Sequence, residues 1–509
     1  MSDATRIKSE KDPERLRTIA LLLVQENERL IAKVLDLQKR VAIAEGKDKQ
    51  QLEIELASLQ KELERRTQRV MGHQSEKRGG NGKGDADKKK PQTGHGPREQ
   101  EQLRIVEVVH ALDEADMMCP CCGERLVEIP GETEDSDEVN EIRREFVITR
   151  HRRQKYRCPG GDHMTTAFGP KRWFKGGRYG LAFAIGVAVG KYLDHLPLER
   201  QVRQMARFGL DVDSQTLFDQ CFALAEHLKP AYLRLAALQQ QQHVLFADET
   251  RWPVHFDQQS ADAKKWQIWV TVSKVGVYYE VHDTRGADGA EEMLGGFAGY
   301  VMCDGLTSYT SLAAKYPSMK LLQCWVHSRR GFVECEQAFP NECGEVIELI
   351  GRLYKIEADA RDGPDIERLR LRQTESKKIT ADIMDWAVRT IRDGPAIPGT
   401  TLREAIDYML RRWKNLTRFL DDPTLPLDNN PAERALRGPV VGRKNHYGSR
   451  SLRGTKVAAI LYSLLETAKL LGIDPHSYVE IAVTAAMEGR EVPLPHELVD
   501  TFAAAPSAN

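Results

Sequence analysis

The chain has 509 residues, enough for several domains that each bury a core. Its formal net charge is −1, so overall electrostatics do not indicate a nucleic-acid binder, although a neutral total counts only weakly against DNA binding. Nine cysteines, an odd number, do not suggest a disulfide framework. The longest apolar run, near 181–189, is too short to span a bilayer, and no signal peptide opens the chain. We therefore expect a cytoplasmic protein with no membrane partner.

Leucines recur at every seventh residue near the N-terminus, and a second set fills the alternating position. The two sets are Leu16, Leu23, Leu30 and Leu37, and Ala20, Asn27, Val34 and Val41. This pattern predicts a dimerising coiled coil over 13–70, in which the polar Asn27 fixes the register. A single amphipathic helix packed on the rest of the protein is the alternative. Over 71–103 the composition changes to Gly, Lys and Gln, which predicts a flexible basic linker.

The segment 104–168 carries the spacing of a zinc ribbon. Cys119 and Cys122 stand in C-x2-C spacing, and Cys158 and His163 follow two predicted strands. Such knuckles bring four ligands to one tetrahedral Zn²⁺. Asp162 is the alternative to His163 as fourth ligand, and a reduced turn without metal is the alternative to the whole site. Cys121 is expected to be a bystander.

Residues 178–235 resemble a helix-turn-helix region. We predict a first helix over 198–208, a turn at Gly209 and a second helix capped by Ser214. Gln215 and Thr216 would then face the major groove of DNA. Two ordinary helices packed on the catalytic core would give the same pattern.

Five segments rich in β-branched and aromatic residues predict the strands of one mixed sheet. They are 243–248, 266–273, 277–283, 299–304 and 320–324. Asp248 and Asp304 stand at the ends of two of these strands, and a later helix delivers Glu433. This is the multidomain α/β arrangement of a ribonuclease-H-like catalytic core, predicted over 240–470 with a helical insertion at about 340–422. A C-terminal tail, 471–509, follows.

Two aspartates and a distant glutamate predict a site for two divalent ions beside a phosphodiester. Carboxylate oxygens suit Mg²⁺ or Mn²⁺, and an ion pair about 4 Å apart stabilises both the attacking and the leaving oxygen. Asp248 is expected to bridge both ions, with Asp304 and Glu433 holding one each. Glu433 has a competing role, because Asn430 as N-cap and Pro431 at the first helical position would make it part of a capping box. Glu249 is expected on the opposite face of its strand.

Basic and polar residues around these acids predict contacts to a phosphate backbone. They are Arg329, Arg330, Arg434, Arg437, Arg443, Lys444, Asn445, Tyr447 and Arg450. A solvated charged face is the alternative. Trp252 either stacks on an extruded base or is a buried aromatic below the site. Asn429 and Asn430 either position the backbone or cap a helix.

Four segments carry a resemblance to a known family: DETRW (248–252), CDGLTSY (303–309), CWVHSRR (324–330) and LDNNPAERALRGPVVGRKNHYGS (427–449). They resemble the transposase of the IS66 family of bacterial insertion sequences. The resemblance implies a DDE transposase whose triad is Asp248, Asp304 and Glu433. Such an enzyme binds the terminal inverted repeats of its element, cleaves the DNA and joins the 3′ hydroxyls to target DNA. A nuclease without strand transfer and an inactive DNA-binding relic acting as a regulator are the alternatives.

The resemblance carries further expectations. Cys324 and His327, in C-x2-H spacing, would support the metals or handle protons, while a second zinc that also uses Cys335 and Cys343 is the alternative. The family has a second Cys pair where this chain has Cys158 and His163. The resemblance also implies small accessory transposition proteins and association with the bacterial nucleoid. The predicted N-terminal coiled coil, for its part, predicts a homodimer or higher oligomer.

Overall fold

The computed structural model describes residues 121, 124–125, 145–157, 164–174, 176–255 and 266–504. The predicted coiled coil, the linker and the four predicted zinc ligands lie outside these residues. The described residues form two compact units. One spans Lys229–Thr467, and the other comprises the described residues before 229 and after 467.

The second of these units begins with a small ribbon in which β1 (Lys155–Arg157) pairs antiparallel with β2 (Met164–Thr166). Three helices follow: α1 (Leu181–Tyr192), α2 (Leu198–Arg207) and α3 (Ser214–Gln239), of which α3 continues into the larger unit. After residue 467 come α14 (Pro475–Met487), a 3₁₀ turn (Pro495–Leu498) and α15 (Val499–Ala504).

The two helices predicted for the helix-turn-helix region are present in the structure. Gly209 has a φ of 81°, a left-handed conformation that suits glycine in the turn between them. The cap differs from the prediction, because the backbone N–H of Thr216 donates to Asp213 Oδ1 at 2.6 Å. Ser214 is instead the first helical residue, and its hydroxyl donates to Glu199 on α2 at 2.7 Å. Gln215 is exposed and Thr216 is half-buried.

A five-stranded mixed sheet organises the larger unit. Its strands are β3 (Val244–Arg251), β4 (Gln267–Ser273), β5 (Gly276–His282), β6 (Tyr300–Cys303) and β7 (Lys320–Gln323). The strand order is β5-β4-β3-β6-β7. The β5-β4-β3 half is antiparallel, and β6 and β7 run parallel to β3. The five predicted strands are all present, and β3 is the central strand that joins the two halves.

Helices connect and cover the strands. Two of them, α4 (Ala287–Leu294) and α5 (Thr307–Lys315), lie between β5 and β7 in the chain. A helical stretch then runs through α6 (Trp325–Cys335), α7 (Pro340–Asp359), α8 (Asp365–Leu371), a π-helical turn (Arg372–Ser376), α9 (Lys377–Arg392), α10 (Thr401–Arg411), α11 (Trp413–Leu416) and a 3₁₀ turn (Arg418–Asp421). Finally come α12 (Asn430–His446) and α13 (Leu452–Leu470). None of the helices in the described part of the chain combines the length and hydropathy of a membrane-spanning segment.

The helical stretch shares a hydrophobic core with the parallel half of the sheet. Met302 on β6 and Leu322 on β7 belong to the same buried cluster as Phe332 and Trp386, whose rings meet edge to face at 5.4 Å. An edge-to-face pair adds to the stabilisation that burial alone provides. The core therefore anchors the helices directly to the strands that precede Asp304 and Cys324.

A buried arginine fastens the end of this helical stretch. Arg372 is 2% exposed and pairs with Glu357 at 2.7 Å. Its remaining donors reach the carbonyl oxygens of Phe419 at 2.8 Å, Asp422 at 2.6 Å and Leu425 at 3.1 Å. A buried guanidinium is tolerated only when its donors are satisfied in this way. Arg372 thereby connects the π-helical turn to the segment that leads to α12.

Candidate metal centre

Asp248 lies within β3 and not at its end, contrary to the prediction, because β4 pairs with β3 as far as Arg251. The parallel pairing with β6 is shorter and stops at Phe246↔Met302. Asp248 and Asp304 each lie two residues beyond that last pair. The two acids are therefore side by side where the parallel half of the sheet opens.

Glu249 lies on the opposite face of β3 from Asp248, as expected, but its carboxylate still reaches the same acid cluster. Carboxylate oxygens of Asp248, Glu249 and Asp304 lie within 4.8 Å of one another. Arg285 donates to Glu249 Oε1 from Nε at 3.0 Å and from Nη2 at 2.8 Å, and the Tyr309 hydroxyl donates to Oε2 at 3.0 Å. No strand pairs with β3 beyond Phe246 on the β6 side, so the longer glutamate side chain is free to turn towards Asp304.

Clustering gives this site an excess of negative charge. Burial, with the neighbouring charges of Glu249, Asp304 and Glu433, raises the pKa of Asp248 to about 8, against the opposing hydrogen bond from the backbone N–H of Glu249. Burial and Asp304 likewise raise the pKa of Glu249, although Arg285 and Tyr309 oppose the shift. A divalent cation would relieve this repulsion, and an all-oxygen donor set fits Mg²⁺ or Mn²⁺.

Glu433 lies in the first turn of α12, near enough to the acid cluster for its charge to act on Asp248. The N-cap of this helix is Asn429, not Asn430, and no side-chain cap hydrogen bond is made there. Glu433 Oε1 is buried and has no hydrogen-bond partner among the described residues. The capping-box alternative is therefore wrong for Glu433, whose charge acts on Asp248 instead.

Asn429 joins three elements at the start of α12. It is fully buried, its side-chain amide donates to the carbonyl of Ala247 at 2.9 Å, and its backbone N–H donates to Cys324 Sγ at 3.3 Å. Asn430 is half-buried, and its backbone N–H donates to Asp428 Oδ1 at 3.1 Å. Of the two asparagines, Asn429 is thus the one that ties Glu433 to the residue before Asp248.

Cys324 and His327 stand beside Glu433 at the start of α6. One ligand atom from each of the three lies within 4.8 Å of the others, and His327 Nδ1 is 3.8 Å from Glu433 Oε1. Burial lowers the pKa of His327 and raises the pKa of the Cys324 thiol to about 11.

The alternative of a second zinc on four Cys and His residues is wrong. The sulfur atoms of Cys335 and Cys343 lie 3.4 Å apart inside the hydrophobic core of the helical stretch. Of the described residues, the only metal-ligand groups that assemble are Cys324–His327–Glu433 and Asp248–Glu249–Asp304.

Trp252 is not available to stack on a base. It is 1% exposed, and its indole N–H donates to Ser449 Oγ at 3.0 Å. Ser449 in turn exchanges backbone hydrogen bonds with Pro253 and His255, each at 3.0 Å. The alternative of a buried aromatic is correct, and this contact fastens the segment after α12 to the end of β3.

Most of the predicted DNA-contacting residues on and after α12 are exposed. Arg434, Arg437, Lys444, Tyr447 and Arg450 are exposed, as is Arg330 on α6, whereas Arg329 and Asn445 are half-buried. Arg443 differs, because its Nη1 donates to Thr250 Oγ1 at 2.9 Å and also to the carbonyl of Arg251. Arg443 therefore connects α12 to β3 as well as adding to the basic surface.

The sequence matches a known family over this whole region. The family described as "Transposase IS66 family" matches residues 176–457, more than half of the chain. This chain belongs to the IS66 transposase family. A second family description, "zinc-finger binding domain of transposase IS66", matches residues 116–160. That segment includes Cys119, Cys122 and Cys158 but not His163, and it supports zinc as a component of the protein.

Curated relatives come from Sinorhizobium fredii (strain NBRC 101917 / NGR234), and all carry the name "Uncharacterized protein". Protein y4jD is 30% identical over 387 residues, which cover 73% of this chain and 75% of the relative. Protein y4qI is 29% identical over 402 residues, covering 76% and 73%. Protein y4hP is 27% identical over 384 residues, covering 71% and 69%.

Proposed function

We propose that this IS66-family protein is a DDE transposase that binds insertion-sequence ends, cleaves the DNA and joins the freed 3′ hydroxyls to target DNA. The observation that carries the proposal is the convergence of Asp248 and Asp304 at the opening of the parallel half-sheet, with Glu433 close enough to act on the pKa of Asp248. Two aspartates side by side with a glutamate nearby are the kind of ligand set that two-metal phosphoryl transfer uses.

The strand arrangement supports a ribonuclease-H-like core. Three antiparallel strands followed by two parallel ones place the ends of β3 and β6 together, and the helical stretch over 340–421 interrupts the chain between Asp304 and Glu433. The proposed catalytic domain is 240–470, with that stretch as its insertion.

Asp248, Asp304 and Glu433 would hold two Mg²⁺ or Mn²⁺ ions, with Asp248 shared between them. When bound, such ions activate a water or 3′ hydroxyl and stabilise the leaving 3′ oxygen. Glu249 contributes charge to the site while Arg285 and Tyr309 restrain its carboxylate. Asn429 sets the distance between α12 and β3. The reaction needs no covalent enzyme–DNA intermediate, because the hydroxyl is itself the second nucleophile.

The DNA backbone would lie along the basic residues of α12 that follow Glu433. Arg434, Arg437, Lys444 and Arg450 are exposed on or just after α12 and supply counter-charge to phosphates. Gln215 and Thr216 at the start of α3 are the proposed contacts to the element ends. These local basic surfaces explain how a chain of net charge −1 would bind DNA.

The remaining modules are proposed from the sequence. Cys119, Cys122, Cys158 and His163 would hold the structural Zn²⁺ of the ribbon, and the coiled coil over 13–70 would pair two copies so that both element ends are held together. Small accessory transposition proteins are further proposed partners.

A strand-transfer assay tests the function. Purified protein is incubated with labelled DNA from the sequences flanking its gene, a supercoiled target and Mg²⁺, with and without the companion proteins encoded nearby. Wild type is compared with Asp248→Asn, Glu433→Gln and the control Asp382→Asn, which changes an exposed acid on α9. We expect joined product from wild type and the control only, with DNA binding kept by all four.

Each other outcome has a defined meaning. Cleavage without joining would replace the transposase with a nuclease on the same core. Joining by Glu433→Gln would remove Glu433 from the metal site. Binding without cleavage by wild type, even with the companion proteins and Mn²⁺, would overturn the enzymatic proposal in favour of a DNA-binding relic.

A further inference from the structure

The three side chains Cys324, His327 and Glu433 form a donor set whose chemistry differs from that of the acid cluster. Cys324 is the N-cap of α6, and His327, three residues later, lies on the same side of its first turn. Glu433 enters from α12, and one ligand atom from each residue lies within 4.8 Å of the other two. The set thus offers one sulfur, one nitrogen and one oxygen.

Two atoms of this set are buried polar atoms without a partner. His327 Nδ1 and Glu433 Oε1 are both buried, and no described residue hydrogen-bonds to either. They lie 3.8 Å apart, which is too far for a hydrogen bond between them. Buried polar atoms in native proteins are nearly always satisfied. A cation bound by both would satisfy them together.

Donor type selects the cation. Thiolate and imidazole favour Zn²⁺ and other thiophilic ions, whereas carboxylates alone favour Mg²⁺ and Mn²⁺. Three protein ligands with an open fourth position is an arrangement that Zn²⁺ accepts. We propose that Cys324, His327 and Glu433 bind a thiophilic divalent cation, at a site distinct from the acid cluster of Asp248, Glu249 and Asp304 and from the zinc ribbon.

This site has a consequence for the proposed transposase, and that consequence rests on the proposed function. Glu433 belongs both to the thiophilic set and to the proposed catalytic triad. An ion held by Cys324 and His327 draws the Glu433 carboxylate towards itself and away from a Mg²⁺ or Mn²⁺ bound by Asp248. The two kinds of ion therefore compete, and a thiophilic ion lowers the affinity of the acid cluster for Mn²⁺.

Cd²⁺ titration of the full-length, zinc-loaded protein tests the site directly, through the ultraviolet absorption of a cadmium–thiolate bond. Wild type is compared with Cys324→Ser, His327→Ala and the control Cys221→Ala, which changes a buried cysteine on α3. Zinc content and the circular dichroism spectrum of each variant show that ribbon and fold are kept. We expect Cys324→Ser to lose one cadmium–thiolate equivalent, and His327→Ala to weaken Cd²⁺ binding at least about tenfold. An unchanged titration in Cys324→Ser overturns the proposal.

A second measurement separates this inference from the proposed function. Mn²⁺ binding is followed by the electron paramagnetic resonance signal of free Mn²⁺, with and without saturating Cd²⁺. We expect Cd²⁺ to weaken Mn²⁺ binding more in wild type than in Cys324→Ser, in which only direct competition at the acid cluster remains. An equal effect in the two proteins overturns the competition through Glu433. Equal Mn²⁺ affinity with and without Cd²⁺ in wild type overturns the competition. No Mn²⁺ binding in any sample would count against the catalytic metal site, while the Cd²⁺ titration still decides the thiophilic one.

Discussion

The side-chain amide of Asn429 donates to the backbone carbonyl of Ala247 at 2.9 Å, and so links the start of α12 to the residue before Asp248. Asn429 is fully buried, and its backbone N–H reaches Cys324 Sγ. This contact fixes the position of α12, which carries Glu433, relative to β3, which carries Asp248. The relationship indicates that Asn429 positions a proposed metal ligand rather than contacting a metal.

Asn429→Ala is expected to destabilise the protein and to misplace Glu433. The carbonyl of Ala247 would lose its buried donor, at a cost of about 1–3 kcal/mol in the free energy of unfolding. Displacement of Glu433 by about 1 Å would reduce DNA cleavage on the order of a hundredfold. Denaturant unfolding and the cleavage assay measure the two effects. Asn430→Ala is the stability control, and an equal loss of stability in both variants would contradict the role of the Asn429 side chain.

Arg285→Leu is expected to destabilise the protein through the carboxylate that it leaves behind. The Glu249 side chain is 1% exposed, and Arg285 supplies two of its hydrogen bonds. Because the Arg285 side chain is 56% exposed, the loss should fall below the about 3–5 kcal/mol typical of a fully buried pair. Denaturant unfolding of wild type and Arg285→Leu in EDTA measures this loss of unfolding free energy.

The double variant Arg285→Leu/Glu249→Gln tests whether the uncompensated charge of Glu249 causes this loss. Neutralising Glu249 removes the uncompensated buried charge, so the double variant should be more stable than Arg285→Leu alone. If the second substitution adds to the loss instead, the cost of Arg285→Leu lies in packing and not in charge.

The strands of the sheet could be predicted from the sequence because their signals are local. Alternating or continuous β-branched and aromatic residues mark β4 and β5, and each prediction differs from the structure by a residue or a few at most. The same patterns placed Asp304 directly after β6. The end of β3 was misplaced because Asp248, Glu249 and Arg251 resemble the start of a loop, whereas pairing with β4 keeps them extended.

Contacts between distant segments could not be predicted. Asn429 and Ala247 are separated by 182 residues, and nothing near either residue indicates the other. Glu249 starts on the face that strand alternation predicts, but alternation could not show that its long side chain ends beside Asp304. Tyr309, whose hydroxyl donates to the Glu249 carboxylate, stands inside the CDGLTSY segment. Its place in that segment was the one feature of the sequence that pointed to this contact.

The stability contributed by His282 should depend on pH. Burial lowers the pKa of His282, but the carboxylates of Glu280 at 2.7 Å and Glu292 at 2.6 Å, with Asp283, outweigh it and leave the pKa above its usual value. A raised pKa in the folded state gives stabilisation that is complete below the unfolded pKa of about 6.5 and is lost as the pH rises through the folded value. His282→Gln should therefore destabilise the protein more at about pH 5.5 than at about pH 9.

Denaturant unfolding of wild type and His282→Gln at both pH values measures this difference. His476→Gln, at an exposed position on α14, is the control and should change stability little at either pH. A loss that is the same at both pH values would mean that His282 stabilises the protein by packing.

Gly448→Ala should separate the end of the basic helix from β3. Gly448 has a φ of 80°, and a Cβ there would lie 2.1 Å from the carbonyl oxygen of Pro253, a backbone atom that Ser449 also bonds. Gly296 has the same φ of 80° with no atom within 4 Å of its Cβ position. Both alanine variants incur the left-handed strain of about 1–2 kcal/mol, but only Gly448→Ala must also displace backbone.

Comparison of the two glycine variants isolates this contact. Gly448→Ala is expected to lose at least about 1 kcal/mol more unfolding free energy than Gly296→Ala, since a backbone clash cannot be relieved by a rotamer change. It should also weaken DNA binding at low salt, because the basic residues that follow α12 no longer keep a fixed place beside β3. Equal stability losses with unchanged DNA binding would show that the Pro253–Ser449 contact is not needed to hold the basic segment.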